Sequence, residues 1–282
     1  LGMYDVGFSF KATNQLKTKG VIDYIKDSNN DMYGASYDES ETLTLFDTKT
    51  LKKIKEYYVG GLFYEESFTF IGDNKLAYIT DKGNINIVNT KDGKLVKEIK
   101  RGDDRFIGLQ SNKEETTLVY TDGKILYLYN LKDDKEIGRI STNDKFLRKI
   151  YFNYNGEYVF ASTMINDIVV DKQEKLTIHT INVSEAKEIN SKEFDAGYIN
   201  GIATREDNIY ILLNNTLGSN FNSLVISYNY KNGTVNWDRR YDGLWGKFIS
   251  KSFVFFNFFN SFIFSFIFLF SSKVIVVWSL VI

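Results

Sequence analysis

The chain has 282 residues, of which 43% are hydrophobic and 25% are charged, and its formal net charge is -1. This length and composition can bury the core of one large all-β domain or of two smaller domains. Because the charge is balanced, there is no basic field to attract nucleic acid, and nucleic-acid binding is not expected. The absence of cysteine and the single histidine exclude disulfides, thiolate catalysis, zinc sites with Cys ligands and histidine clusters.

The first nineteen residues precede the repeated part of the sequence. The sequence begins Leu1-Gly2-Met3-Tyr4 and continues into a polar stretch, without the charged start and apolar run of a secretory signal peptide. Either the protein is not exported by that route, and is cytoplasmic or membrane-associated, or the sequence lacks its true beginning. Residues 6–11 have the pattern of a strand. We therefore predict that residues 1–19 form an extra strand or the remnant of a preceding repeat.

A run of polar residues follows the first predicted strand of the repeated part. Asp27, Asn29 and Asp31 place oxygen ligands at alternate positions, as in loops that wrap a hard cation such as calcium. The glycine expected directly after Asp31 is missing, and no glutamate is placed as a bidentate ligand. A metal site at these three residues is one prediction, and a plain turn between two strands is the other.

A short apolar strand that ends in Asp or Asn recurs along the chain. The steps between copies are about 40 to 50 residues, which suits a propeller blade with loop insertions in the later copies. The marker residues are Asp47, Asn89, Asn130, Asn182 and Asn229.

Each repeat is predicted to be a four-stranded meander. In the second repeat we expect strands near residues 67–70, 75–80, 85–89 and 96–99, because apolar residues alternate there and Gly-containing turns separate them. One such unit cannot bury both of its faces, so the units must stack. The loop insertions near residues 164–172 and 216–222 are candidate binding loops.

These patterns predict an all-β fold, a β-propeller of about five visible four-stranded blades over residues 20–245. The five blades either close on themselves or belong to an incomplete longer propeller. A separate hydrophobic tail follows at residues 246–282.

Several segments resemble blades of known propeller families. Lys75–Gly83 with Asn89–Val96 is similar to a quinoprotein-like (PQQ-like) blade, and Asn208–Ile211 with Asn232–Trp237 repeats that likeness. Phe152–Phe160 resembles the turn and strand of WD-repeat and YVTN-like propellers. The resemblance covers residues 20–245 and implies the propeller fold. The adjacent cysteines of the quinone-dependent enzymes are absent, so no cofactor is expected.

No set of catalytic residues emerges from the sequence, and none is assigned. His179 alternates with Ile178 and Thr180 and reads as an ordinary strand residue. Aromatic and basic side chains near the starts of blades are candidates for a binding rim, because rings bury a large area and keep a polar tip. The predicted rim residues are Tyr64, Arg105, Arg148 and Arg205.

The tail has a composition of its own. Phe253–Phe270 contains ten phenylalanines and no charge, which is close to the length of a short membrane span. A C-terminal membrane anchor, an out-of-frame or truncated coding sequence, and a pair of buried final strands are the three interpretations.

Two functions from different classes follow. The first is a non-catalytic scaffold that binds a protein or peptide through the loop rim and is tethered to a membrane by its tail. The second is a quinoprotein-like or lactonase-like enzyme or ligand sensor with a site at the central channel. The second predicts several carboxylates that converge on the axis, with Arg105, Arg148 or Arg205 near them.

Overall fold

The computed structural model describes residues 2–4, 12–61, 63–100, 105–141, 147–163, 175–195, 198–215, 222–242, 244–249, 252–257, 264–270 and 273–279. Within these ranges the regular structure is β-strand, apart from one 3-10 turn at Glu65–Ser67. None of the helical structure in the described ranges is long and apolar enough to cross a membrane.

The chain divides into two compact units, residues 1–156 and 157–282. The strands of the first unit are β1 (Gly2–Tyr4), β2 (Ala12–Gln15), β3 (Ile22–Asp27), β4 (Tyr33–Asp38), β5 (Thr42–Asp47), β6 (Lys53–Tyr58), β7 (Phe68–Ile71), β8 (Lys75–Ile79), β9 (Ile85–Asn89), β10 (Leu95–Ile99), β11 (Gly108–Ser111), β12 (Thr117–Thr121), β13 (Ile125–Asn130), β14 (Lys135–Ser141) and β15 (Leu147–Phe152).

The second unit continues the series of strands. They are β16 (Tyr158–Thr163), β17 (Lys175–Asn182), β18 (Lys187–Asp195), β19 (Tyr198–Arg205), β20 (Asn208–Asn215), β21 (Asn222–Asn229), β22 (Thr234–Asp242), β23 (Leu244–Ile249), β24 (Ser252–Asn257), β25 (Phe264–Phe270) and β26 (Lys273–Ser279).

Strand order in the sheets follows chain order. The sheets are the hairpin β1-β2 and the four-stranded sheets β3 to β6, β7 to β10, β11 to β14, β15 to β18, β19 to β22 and β23 to β26. Five antiparallel four-stranded sheets thus lie between residues 22 and 242, which confirms the predicted β-propeller. The four strands of residues 244–279 have the same order, and the proposed domain boundaries stay a prediction.

The Asp or Asn that marks each repeat ends the third strand of its sheet and caps the next turn. Asp47 Oδ1 accepts a hydrogen bond from the Thr50 N–H at 2.7 Å, and Asn89 Oδ1 accepts one from the Lys91 N–H at 2.8 Å. Such an acceptor satisfies amides that the strand ladder leaves free. The other three markers accept backbone N–H groups in the same way: Asn130, Asn182 and Asn229.

The sheets of the first unit bury both of their faces, as the meander prediction requires. In the second sheet, Leu76 belongs to an apolar cluster with Leu45 of the first sheet, and both side chains are fully buried. Ile79, on the opposite face of the same strand, belongs to a cluster with Leu118 of the third sheet. Because successive side chains point to opposite faces, one strand serves two interfaces.

Residues before the first sheet also contribute to its core. Leu16, just after β2, is buried with Phe46 and Leu51 of the first sheet. Residues 6–11, the predicted extra strand, lie outside the described residues, as do residues 164–172 and 216–221 of the predicted binding loops.

Candidate functional site

The turn after the first strand has the same form at the ends of β3, β11 and β15. The carbonyls of Ser28, Asn112 and Asn153 each accept a hydrogen bond from the N–H three residues later, at 3.0, 3.2 and 3.1 Å. The side chains next to these three residues therefore occupy equivalent places at the sheet edge. The residue whose N–H donates this hydrogen bond has a positive φ in each turn: 56° at Asp31, 59° at Glu115 and 72° at Gly156.

This shared turn accounts for the oxygen-rich spacing of residues 27–31. Ser28 Oγ closes the turn by accepting hydrogen bonds from the N–H groups of Met32 and Tyr33 at 3.2 and 3.1 Å. Burial raises the pKa of Asp27, and the charge of Asp31 adds to the effect. No group of three or more His, Cys, Asp or Glu in the described ranges could hold a metal ion. The metal site at Asp27, Asn29 and Asp31 stays a prediction.

A cleft of about 630 Å³ lies among the four first strands of the first unit, β3, β7, β11 and β15. We call it the strand-end cleft, because three of these strands border it where they end. It is lined by residues 25–27, 29, 69–70, 110–113 and 151–154.

The equivalent turn positions form the outer wall of this cleft. Asn29, Lys113 and Tyr154 each follow the residue whose carbonyl closes their turn, and all three line the cleft and are exposed. Asn29 Nδ2 donates a hydrogen bond to the Lys113 carbonyl at 3.4 Å, which links two of the turns. The wall thus offers an amide, an ammonium and a phenol.

Lys26 supplies the charge inside the cleft. Its ammonium donates a hydrogen bond to the Phe68 carbonyl at 2.8 Å and lies 4.8 Å from the centroid of the Phe68 ring. Burial lowers the pKa of Lys26 to about 8, and Glu65 and Glu66 oppose this shift without restoring the ordinary value. Loss of water around the ammonium is therefore not fully compensated.

The two glutamates are engaged by a second lysine, Lys149 of β15. The Lys149 ammonium forms an ion pair with Glu66 and lies 3.7 Å from Glu65 Oε2. Burial would lower the pKa of Lys149, but Tyr151 and Glu66 raise it above its ordinary value. The convergence of several carboxylates on the central axis, which the enzyme hypothesis requires, stays a prediction.

The predicted rim residues lie at different places from the cleft. Tyr64 and Arg105 are in the connections that lead into β7 and β11, so they stand at the starts of first strands, whereas the cleft lies toward the ends of β3, β11 and β15. The Arg105 guanidinium donates a hydrogen bond to the Asp81 carbonyl at 2.7 Å. Arg148 lies on β15, and its side chain is outside the described part of the structure.

Arg205 ends β19 in the second unit, where it is exposed beside Glu206, at 3.9 Å. It occupies the turn between first and second strands, the kind of turn that forms the cleft wall in the first unit. The role of all four predicted rim residues in binding stays a prediction.

His179 lies on β17 in the second unit, as its alternation predicted. It is buried, and its Nδ1 is 3.3 Å from Glu188 Oε2 on the adjacent strand β18.

Lys26 and Lys113 were not singled out by the sequence. One signal could have found Lys113: it follows the residue that closes the turn after a first strand, as Asn29 and Tyr154 do. Aligning the repeats on the first turn instead of on the third-strand marker would have brought these three positions together. Lys26 carries no such signal, because a lysine in an alternating strand is ordinary.

Comparisons with known proteins agree with the fold. No family model and no curated protein matches the chain. Among solved structures, a chain of the mitotic checkpoint complex matches with a TM-score of 0.61 and 11% identity, over 82% of this chain and 68% of that chain. Kuenenia stuttgartiensis hydrazine synthase matches with a TM-score of 0.62 and 14% identity, over 92% and 80%.

These likenesses concern the fold alone, since both identities are low. Matches extend to 1387 chains of solved structures, so the fold does not select one activity. The class that the strands and the comparisons define is the β-propeller, a repeat protein.

Proposed function

We propose that this chain is a non-catalytic propeller scaffold that binds a protein or peptide segment in the strand-end cleft. The observation that carries the proposal is the cleft itself, about 630 Å³ among four successive first strands. Each of these strands is anchored in its own sheet, so the wall is rigid before a partner arrives, which reduces the entropic cost of binding.

Tyr154 is the side chain best suited to anchor a partner. It is 58% exposed at the mouth of the cleft, and tyrosine combines a large apolar area with a hydroxyl group and few rotatable bonds. Lys113 and Asn29 beside it supply hydrogen-bond donors to a peptide backbone.

The experiment selects peptides from a random phage-displayed library on the immobilised full chain, then measures their affinities by fluorescence anisotropy. Tyr154→Ala should weaken binding of the selected peptides by about tenfold or more, which corresponds to about 1.4 kcal/mol. Tyr58→Ala is the matched control, because Tyr58 is 65% exposed on β6 and does not line the cleft. Failure to select any peptide, or equal affinities for both variants, would overturn the proposal.

The finer parts of the function remain predictions. A membrane tether in residues 246–282 would make the full chain float with lipid vesicles. The quinoprotein-like subtype and the enzyme or sensor alternative would require turnover or a small ligand at the channel. The hydrazine synthase likeness brings no activity to this chain at 14% identity.

A further inference from the structure

The charges that line the strand-end cleft are unbalanced. Lys26 and Lys113 are its cations, and Asp27 is its one carboxylate among the lining residues. Burial also raises the pKa of Asp27, so this carboxylate is less stable as an anion than a free one. Among the residues that line the cleft, the cations therefore outnumber the carboxylates by two to one.

The charges of Glu65 and Glu66 act on Lys26, but the ion pairs that these glutamates form are with Lys149. Its ammonium pairs with Glu66 and approaches Glu65 within 3.7 Å. The Lys26 ammonium instead donates to the Phe68 carbonyl at 2.8 Å. An ammonium has three N–H donors, and among the described residues the Phe68 carbonyl accepts one from Lys26.

An incoming carboxylate would meet favourable conditions at this ammonium. Hydrogen bonds between an ammonium and a carboxylate are about twice as strong as those between neutral groups. The partly buried site also screens the attraction less than bulk water does. Since the ammonium has already lost much of its hydration in the free protein, less desolvation remains to oppose binding.

We propose that the strand-end cleft binds an acidic peptide segment, one carboxylate of which contacts the Lys26 ammonium while Tyr154 and Asn29 pack against the neighbouring peptide. This inference rests on the proposed function and names the chemistry of the partner. The carboxylate comes either from an Asp or Glu side chain or from the C-terminus of the partner.

Three labelled hexapeptides separate these sources. The first is fluorescein-Gly-Tyr-Glu-Glu-Tyr-Gly with an amidated end, the second replaces both Glu by Gln, and the third is the Gln peptide with a free C-terminal carboxylate. Anisotropy titrations with the full chain should show binding of the first or the third at least about tenfold tighter than binding of the second.

Variants then assign the contact to Lys26. Lys26→Gln should abolish the preference for the carboxylate peptides, and Lys26→Arg should keep it, because arginine retains the charge. Lys82→Gln is the control with the same change of charge, since Lys82 is exposed and outside the cleft. It should leave all three affinities unchanged. Thermal unfolding by circular dichroism checks that each variant is folded.

The pH dependence gives a second readout. Affinity of the wild type should be constant below the pKa of Lys26 in the free protein, about 8, and should fall above it, because binding requires the protonated amine. Glu65, Glu66, Lys149 and Tyr151 face the same space, and they remain in both proteins. Lys26→Arg should therefore show no decline between about pH 7 and 9.

The outcomes distinguish the two levels of the proposal. If selected peptides bind in a Tyr154-dependent way but the carboxylate peptides show no preference or no response to Lys26→Gln, this inference is wrong and the proposed function stands. If none of the three hexapeptides binds the wild type, the inference is likewise overturned. If neither selected peptides nor hexapeptides depend on Tyr154, both fail.

Discussion

Two turns lie at the same edge of each sheet in the first unit, and the repeats agree in one and differ in the other. The turn between the third and fourth strands always begins with Asp or Asn, as at Asp47, Asn89 and Asn130. The turn between the first and second strands presents Asn29 in one sheet, Lys113 in another and Tyr154 in a third.

The difference follows from what each side chain does. The marker residue caps backbone N–H groups, and only a short side chain with an acceptor oxygen can do so. The residue after the one whose carbonyl closes the first turn lines the cleft and does not cap its own turn, so its chemistry can vary from sheet to sheet. The same residue type at equivalent positions of the repeats therefore indicates a role in folding. Different residue types at an exposed equivalent position indicate a binding surface.

The largest effect should come from the interfaces between neighbouring sheets of the first unit. Leu76→Ala removes a fully buried side chain between the first and second sheets and should cost about 2–5 kcal/mol of unfolding free energy. Leu95→Ala, on the exposed face of β10, should change it by less than about 0.5 kcal/mol. Urea unfolding followed by circular dichroism measures both, and equal effects would contradict the stacked arrangement.

The next effect should come from the cap of the variable turn. Asn112 is buried, and its Oδ1 accepts hydrogen bonds from the Thr116 and Thr117 N–H groups at 3.0 and 2.8 Å. Asn112→Ala leaves these groups unpaired and should cost about 1–3 kcal/mol. Lys113→Ala, in the same turn, should cost less than about 0.5 kcal/mol. A large loss from Lys113→Ala would mean that the cleft wall also has a folding role.

A smaller effect is expected at the marker residue. Asn130 Oδ1 accepts hydrogen bonds from the Lys132 and Asp133 N–H groups, both at 2.8 Å, in a more exposed turn. Asn130→Ala should cost about 1 kcal/mol, and Asn130→Asp, which keeps the acceptor, should recover most of it. Urea unfolding of the two variants tests this, and an equal loss in both would show that the cap is not the cause.

The smallest effect on stability is expected at Asp47, the one repeat marker with an ionisable side chain. Hydrogen bonds from the Thr50 side chain and backbone hold the pKa of Asp47 below its usual value. Its contribution to stability is therefore present above the unfolded-state pKa, about 3.9, and is lost as the pH falls through the folded-state pKa. Asp47→Asn should reduce the difference in unfolding midpoint between pH 7 and pH 3. An unchanged difference would assign the acid sensitivity to other carboxylates.

The local features of this fold could be predicted from the sequence. The strand Ile85–Asn89 has the bounds that alternation predicts, and the turns at Gly72, Gly83 and Gly93 have the positive φ values of 59°, 80° and 68° that glycine permits. These features depend on neighbours within a few residues of one another. Alternation, turn chemistry and the period of the markers are local, so the amino-acid sequence by itself determines them.

The cleft depends on contacts that no local pattern contains. Lys149 and Glu66 form their ion pair although more than eighty positions separate them, and Lys26 reaches the carbonyl of Phe68 in the next sheet. These partners meet only because stacked sheets bring their first strands side by side. Sequence alone determined that there would be a propeller of repeated blades. The tertiary structure decided which side chains share the cleft, because distance in space there is independent of distance along the chain.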